Sequence, residues 1–311
     1  MRVLVTGGSG FLGGYVVPRL AAGGYEVGAL ARSAAAAARV EQLGATAVPG
    51  DLDDPARVDA AFGGWAAAGA AGAGAARAAG SAGAGAAGAG ALVNLASLGF
   101  GHAPTIVAAA EEAGLTRAVF VSTTAIFTGL DARSKRLRVA AEDTIRASAL
   151  EWTILRPTMI YGAPGDRNMA RLVRLVRRSP VVPLPGGGRG LQQPVHVEDV
   201  AGAVVAALLA PGAVGRAYDL AGPVAMQLRE VVGLTAGAAG RRPRVLPLPL
   251  GPAVLAARIY ERASRRPRLR AEQVERLAED KVFAIEAARR DLGFDPRPFA
   301  VGIAAEAAAL A

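Results

Sequence analysis

The chain is constrained first by its opening. A short β-branched apolar run, Arg2-Val3-Leu4-Val5, leads into Thr6-Gly7-Gly8-Ser9-Gly10-Phe11-Leu12-Gly13, and then into Tyr15-Val16-Val17-Pro18-Arg19-Leu20. The first run reads as a buried strand and the last as a helix. Strand, glycine turn and helix in that order form the context in which a glycine pattern has meaning. Glycine permits φ > 0 and lets backbone N–H groups approach an anion closely. The helix start then offers unpaired N–H groups and the positive end of its dipole to a pyrophosphate. Gly7, Ser9, Gly10, Phe11, Leu12 and Gly13 are therefore expected to touch a dinucleotide. The competing reading is a tight strand-to-helix turn that holds nothing.

The next 140 residues repeat the same rhythm. Strands are expected at 25–30, 45–48, 92–95, 118–121 and 153–155. Helices are expected at 33–43, 55–62, 105–113 and 135–148. Ser33 can cap the first of these helices, and Pro55 sits where a missing N–H costs nothing. Repeated strand–helix units with apolar strands predict an α/β fold, a parallel sheet covered on both faces. Residues 63–90 interrupt the pattern and are almost wholly Ala and Gly. They read as a mobile low-complexity insertion, since their glycines oppose helix and their side chains offer little core. Beyond residue 160 the elements become shorter and mixed. A basic helix is expected at 169–178, a Pro/Gly-rich loop at 180–190 and a strand at 192–197. A helix at 198–209 and a strand at 218–220 follow. Further helices are expected at 228–237, 252–262, 271–280 and 285–292, with a strand at 244–247. The division expected is a dinucleotide-binding domain over 1–160 and a mainly substrate-binding lobe over 161–311, with 192–220 returning to the first domain's core.

Composition excludes several classes. The 311 residues contain no cysteine, which rules out disulfides, thiolate metal sites and a cysteine nucleophile. The two histidines, His102 and His196, lack partners at metal-ligand spacing, so no metal is expected. No Gly-x-Ser-x-Gly elbow is present. Outside the Ala/Gly tract no uninterrupted apolar run approaches about 18 residues, so no membrane span is expected. No signal peptide is visible, and a cytoplasmic location is expected. The net charge is +9, nearly all of it arginine, since only Lys135 and Lys281 are lysines. Scattered arginines with few aromatics argue against nucleic acid.

Chemistry-bearing residues fall at the expected strand ends. Arg32 follows the second strand, where an acidic residue would hold the ribose 2′-hydroxyl of NAD and an arginine suits a 2′-phosphate. This favours NADP over NAD. Asp51-Leu52 follows the third strand, beside the place for an adenine; helix capping is the alternative use of that aspartate. Asn94-Leu95-Ala96-Ser97 ends the fourth strand, with small residues that allow a ribose and nicotinamide to lie close. Ser122-Thr123-Thr124 ends the fifth, and Thr124 could hydrogen-bond a substrate oxygen. Arg167, Arg171 and Arg174 share a helix face beyond Tyr161-Gly162. His196 tempts as a base, although a structural or ligand-lining place fits it better.

These motifs, with Leu155-Arg156-Pro157-Thr158-Met159-Ile160-Tyr161-Gly162, Gln193–Ala201 and Asp291-Leu292-Gly293-Phe294, resemble the extended and atypical branch of the short-chain dehydrogenase/reductase superfamily. The resemblance spans nearly the whole chain apart from the Ala/Gly tract. It extends to NAD-dependent epimerase/dehydratases, to NmrA-like regulators and to an accessory subunit of respiratory complex I. It implies a Rossmann-type doubly wound sheet with a smaller C-terminal lobe. It also implies cofactor contacts at Asn94, Ala96, Ser97, Ser122 and Pro157, and substrate contacts at Tyr161, Arg167, Asn168 and His196.

One position departs from that family. Active members use Tyr-x-x-x-Lys on the helix after the fifth strand, where Lys lowers the Tyr pKa and Tyr transfers the proton. Lys135 matches the lysine, but Asp131 stands four positions before it. Asp131 could act as an acid/base only with a raised pKa, and an ion pair with Lys135 or a helix cap is the simpler use. Two functions follow. The chain is expected to be an NAD(P)-dependent oxidoreductase or epimerase-like enzyme acting on a small hydroxyl or carbonyl compound, with a nucleotide sugar among the candidates. Lys135, Thr124 and Asp131 would then be its catalytic candidates. The alternative is an NADP(H)-binding sensor or assembly factor without turnover.

Overall fold

The computed structural model describes residues 1–78, 90–130, 132–163, 165–264 and 270–311. Six strands and five helices alternate through the first half: β1 (Arg2–Thr6), α1 (Gly13–Ala22), β2 (Glu26–Ala31), α2 (Ala34–Gln42), β3 (Thr46–Pro49), α3 (Pro55–Ala78), β4 (Ala91–Asn94), α4 (Ala103–Glu112), β5 (Arg117–Val121), α5 (Arg133–Ala147) and β6 (Glu151–Pro157). The remainder comprises β7 (Ile160–Tyr161), α6 (Met169–Arg178), β8 (Val181–Pro185), β9 (Leu191–Gln192), β10 (Val195–His196), α7 (Val197–Leu209), β11 (Arg216–Leu220), β12 (Met226–Gln227), α8 (Leu228–Ala238), β13 (Arg244–Leu248) and α9 (Leu250–Ala263). Three helices close the chain, α10 (Ala271–Ala278), α11 (Glu286–Leu292) and α12 (Phe299–Ala309).

Seven strands form one parallel sheet in the order β11-β6-β5-β4-β1-β2-β3. This is a Rossmann-type doubly wound α/β fold. Period-two alternation explains why both faces are covered. Val3 and Val5 of β1 join a cluster with Val16, Val17 and Leu20 of α1 and Val200 and Val204 of α7. Leu4, between them, joins the opposite cluster with Phe62, Ile106 and Ile145. Each such side chain contributes about 1.5–3 kcal/mol on full burial. The chain leaves β1 toward β2 and β3, then crosses back to β4 on the other side of β1. That reversal opens a crevice at the carboxyl ends of β1 and β4, the place where open α/β sheets bind ligands.

Two expectations are corrected and one helix is added. The Ala/Gly tract is helical as far as Ala78, because α3 continues through its first half, while 79–89 lie outside the described residues. Alanine's helix propensity offsets the glycines. Trp65 also anchors the helix: it is buried, and a Cβ on Gly28 of β2 would lie 2.7 Å from its ring. The Arg2 guanidinium covers that ring's other surroundings, 3.9 Å from its centroid. The expected 180–190 loop holds β8, which pairs in parallel with β13. Its prolines are tolerated in a two-stranded ribbon, where few N–H groups are needed. Finally, α12 was not foreseen. Its alanines give little periodic contrast, yet Phe299, Ile303 and Ala307 pack against Tyr161, Met169 and Val173.

The C-terminal part also contains a helical hairpin. α9 packs on α10 through Val254, Ala257, Ala271 and Val274, a small cluster of its own.

Candidate functional site

The glycine turn is built by close contact rather than by flexibility. Gly7 has φ 72°, and a Cβ there would lie 2.7 Å from the Ala96 backbone nitrogen. A Cβ on Gly13 would lie 2.2 Å from the Gly8 carbonyl oxygen. The turn is closed by Gly10 N–H donating to the Gly7 carbonyl at 3.0 Å. Ser9 and Gly10 are exposed, whereas Leu12 and Gly13 are buried against the sheet. The helix start therefore points open backbone at the crevice, the form that suits a phosphate.

The neighbouring strand ends are held by short polar bonds. The buried Thr6 hydroxyl donates to Asn94 Oδ1 at 2.5 Å, and Asn94 Nδ2 donates to the Ala96 carbonyl at 3.1 Å. Asn94 thus fixes the loop against which Gly7 rests. Ser97 is exposed and caps the turn after β4 by accepting from Gly99 N. Asp51 accepts from the Asp53 amide, and Leu52 packs on the sheet cluster that contains Leu30 and Val58. Asp53 in turn meets His102 Nε2 at 2.9 Å, tying the loop after β3 to the loop after β4. Arg32 lies exposed directly after β2.

At the ends of β5 and β6, Thr124 is buried and its hydroxyl makes only a long 3.4 Å bond to the Pro157 carbonyl. Lys135, in the first turn of α5, donates through Nζ to the Thr128 carbonyl at 2.6 Å. Asp131 lies outside the described residues. A buried ion network sits behind these groups. Glu142 of α5 accepts from Arg156 Nη2 at 2.5 Å, and Arg156 also approaches Asp219 of β11 at 3.7 Å. Burial alone would raise the Glu142 pKa, but the bonds and charge of Arg156 outweigh it and hold the carboxylate below its ordinary value. Asp219 is pushed upward, chiefly by burial.

A cleft of about 680 Å³ opens between the glycine turn and the start of the C-terminal part. Ser9, Gly10 and Phe11 form one wall, and Asp166, Arg167 and Asn168 the other. Arg39 of α2 also lines it, with a terminal guanidinium nitrogen 3.5 Å from where a Gly14 Cβ would be. The structure thus brings Arg167 and Asn168 to the glycine turn. It adds Arg39, which sequence reading missed because an arginine on an alanine-rich helix looks merely solvated. Arg171 and Arg174 are exposed on the outer face of α6.

Two other residues singled out from sequence lie deeper. Tyr161 is fully buried, edge-on to His196 at 5.2 Å and to Phe299 at 5.0 Å between ring centroids. Burial raises its hydroxyl pKa strongly. His196 caps α7, its Nδ1 accepting from Glu198 N at 3.3 Å. Burial and the Arg297 cation lower its pKa, favouring the neutral ring. Below the cleft floor, Glu306 of α12 accepts from Gly162 N at 3.1 Å. Burial and the adjoining Asp166 carboxylate push Glu306 up to about 8. Asp166 itself accepts from the Asn168 and Ala170 amides and caps α6.

This glycine cradle fits a dinucleotide by shape: side chains at Gly7 or Gly13 would close it. A sequence model described as NAD(P)H-binding matches residues 7–211, more than half of the chain. The chain belongs to the NAD(P)H-binding family. Among its relatives, the 2-alkyl-3-oxoalkanoate reductase of Stenotrophomonas maltophilia is 31% identical over 336 aligned positions, 96% of this chain and 95% of that protein. The mitochondrial NADH dehydrogenase [ubiquinone] 1 alpha subcomplex subunit 9 of Arabidopsis thaliana is 34% identical over 155 residues, covering 49% of this chain and 38% of that protein. In fold, the chain superposes on Thermus thermophilus UDP-glucose 4-epimerase, solved with NAD, with a TM-score of 0.70. That match covers 100% of this chain and 99% of the epimerase at 23% identity. Among the described residues, no helix is long and apolar enough to cross a membrane, and no group of three or more His, Cys, Asp or Glu is placed to hold a metal ion.

Proposed function

We propose that this protein is an NADPH-dependent reductase of a small carbonyl compound bearing an alkyl chain. The observation that carries the reading is the shared cleft. The glycine cradle faces Arg167 and Asn168 across a cleft of about 680 Å³, within the size range of small-molecule sites. A full-length relative named as a reductase of 2-alkyl-3-oxoalkanoates supports a ketone substrate.

The bound dinucleotide would supply the hydride. Ser9, Gly10 and the start of α1 would hold its pyrophosphate, with Asp51 and Leu52 by the adenine. Arg32 and Arg39 favour a 2′-phosphate, because two guanidiniums beside a phosphate form strong charge-assisted bonds. Asn94, Ala96, Ser97, Ser122 and Pro157 would line the ribose and nicotinamide side. Lys135 would place a cation there, and the Thr124 hydroxyl, weakly engaged with Pro157, would donate toward the carbonyl oxygen. Lys135 would restore that proton. Tyr161 and His196 would support the substrate side by holding the cleft floor.

A second reading keeps its place because Asp131 stands where active relatives of this type carry tyrosine. Under it, the protein binds NADPH as a sensor or assembly factor, in line with the likeness to the complex I subunit over half of the chain. Fluorescence titration with NADPH, followed by absorbance assays with 2-alkyl-3-oxo acids and simple ketones, separates the two. Binding with substrate-dependent NADPH oxidation supports the reductase, and binding without oxidation supports the sensor.

A further inference from the structure

The hairpin of α9 and α10 presents a face that neither the fold nor the candidate site uses. Seventeen large apolar side chains are exposed among the described residues, and five of them fall within 245–260: Val245, Leu246, Leu255, Ile259 and Tyr260. Leu255 and Ile259 are each 60% exposed, one helical turn apart on α9. Clustered exposure of this kind marks an interaction surface, unlike scattered single residues.

The charge on the same surface is one-sided. From residue 231 to residue 260 there is no Asp or Glu, while Arg241, Arg242, Arg244 and Arg258 fall within that span. On α9, Arg262 lies within about 20° of Leu255 around the helix axis, on the outward face. Glu261 points instead toward α10, where its carboxylate accepts from the Ala271 amide. Arg258 reaches Glu275 at 2.9 Å and remains exposed. Arg241, Arg242 and Arg244 are exposed immediately before Val245 and Leu246 on β13. The result is a stretch of exposed aliphatic side chains set among arginines, with no carboxylate facing outward on α9.

We propose that the face formed by β13 and α9 docks on an anionic lipid bilayer. The aliphatic residues enter the boundary between head groups and acyl chains, and the arginines meet lipid phosphates. Nucleic acid would match the arginines but leave Leu255 and Ile259 exposed to water at a polar interface. The aliphatic side chains stand on a hairpin held by its own small core, whose buried residues are separate from them. The same hairpin leads into Glu279, which bonds Thr128 beside Lys135, so a docked bilayer would lie on the lobe next to the candidate site.

The test is co-sedimentation of the full chain with vesicles of phosphatidylcholine alone and of phosphatidylcholine with phosphatidylglycerol. The expected result is binding to the second only. Leu255→Ser/Ile259→Ser and, separately, Arg241→Gln/Arg242→Gln/Arg244→Gln should each weaken it by roughly tenfold or more, with unchanged thermal melting. Absence of wild-type binding to the anionic vesicles overturns the proposal. So does undiminished binding by the aliphatic variant, which would mean charge attraction alone. Equal binding to soluble polyglutamate would point to an acidic protein partner instead and also overturn it.

Discussion

Glu279, just after α10, accepts from the Thr128 hydroxyl at 2.8 and 2.7 Å and from the Gly129 amide at 3.0 Å. One residue of the C-terminal part thus pins the segment that leads into α5. Lys135 donates back to the Thr128 carbonyl at 2.6 Å, so the same clamp sets where its ammonium lies. Hydrogen bonds to a charged group contribute about 1.5–3 kcal/mol, and losing them frees the loop they order. Glu279→Ala should therefore lower kcat/KM by roughly tenfold or more while NADPH affinity, measured by fluorescence, stays near wild type. Equal loss of NADPH binding would mean that Glu279 supports the whole fold rather than this segment.

The glycine turn offers an internal control. Gly13→Ala puts a methyl 2.2 Å from the Gly8 carbonyl, which forces the turn apart. Gly14→Ala meets nothing nearer than the Arg39 guanidinium at 3.5 Å. The first variant should lose dinucleotide binding and melt lower, whereas the second should keep or gain stability, since alanine in a helix is favoured by about 0.5–1 kcal/mol. Equal melting temperatures for both would show that the turn is looser than its contacts imply.

Cofactor choice is expected to rest on Arg32 and Arg39. Removing both should weaken NADPH by roughly 10–100-fold, the worth of about 1.5–3 kcal/mol of charge-assisted bonding, and leave NADH unchanged. Isothermal titration with the two cofactors reads this directly. A double variant that still prefers NADPH would move the phosphate contact elsewhere.

Stability should depend on pH through Glu306, whose folded pKa is pushed up to about 8 from an ordinary 4.5. Between those values the unfolded chain has released a proton that the native chain still holds. Stability therefore falls as pH rises across that window and levels off outside it. Glu306→Gln cannot ionise, and its amide oxygen can still accept from the Gly162 amide. Melting curves of wild type and variant should converge near pH 4.5 and separate toward pH 8, with the variant higher by several degrees. Parallel curves would mean that Glu306 ionises normally.

Much of this architecture was readable in the sequence. The apolar runs of β1, β4 and β5 and the glycines between β1 and α1 are local signals, and α6 begins and ends at Met169 and Arg178 as its periodicity predicts. What escaped was what sequence proximity does not encode. Arg39 becomes a cleft residue only because α1 and α2 lie side by side. Glu306 looks like a surface charge on an alanine-rich helix until α12 folds over Gly162 and Asp166. Tyr161 reads as substrate-facing from its motif, but Gly302 admits its ring into the core, since a Cβ there would lie 2.3 Å from the Tyr161 hydroxyl. The helix over the Ala/Gly tract escaped for a related reason: Trp65 anchors it through Gly28, a contact 37 positions away in the sequence.

The most direct measurement is NADPH oxidation with a 2-alkyl-3-oxo acid, by wild type and by Lys135→Ala. Saturable oxidation is expected from the wild type. The variant should lose kcat by about 10²–10⁴-fold, the range of positioned proton transfer, while NADPH affinity and melting temperature hold. A wild type that binds NADPH yet oxidises none with any carbonyl compound, or a Lys135→Ala variant that turns over at the wild-type rate, would contradict the reductase.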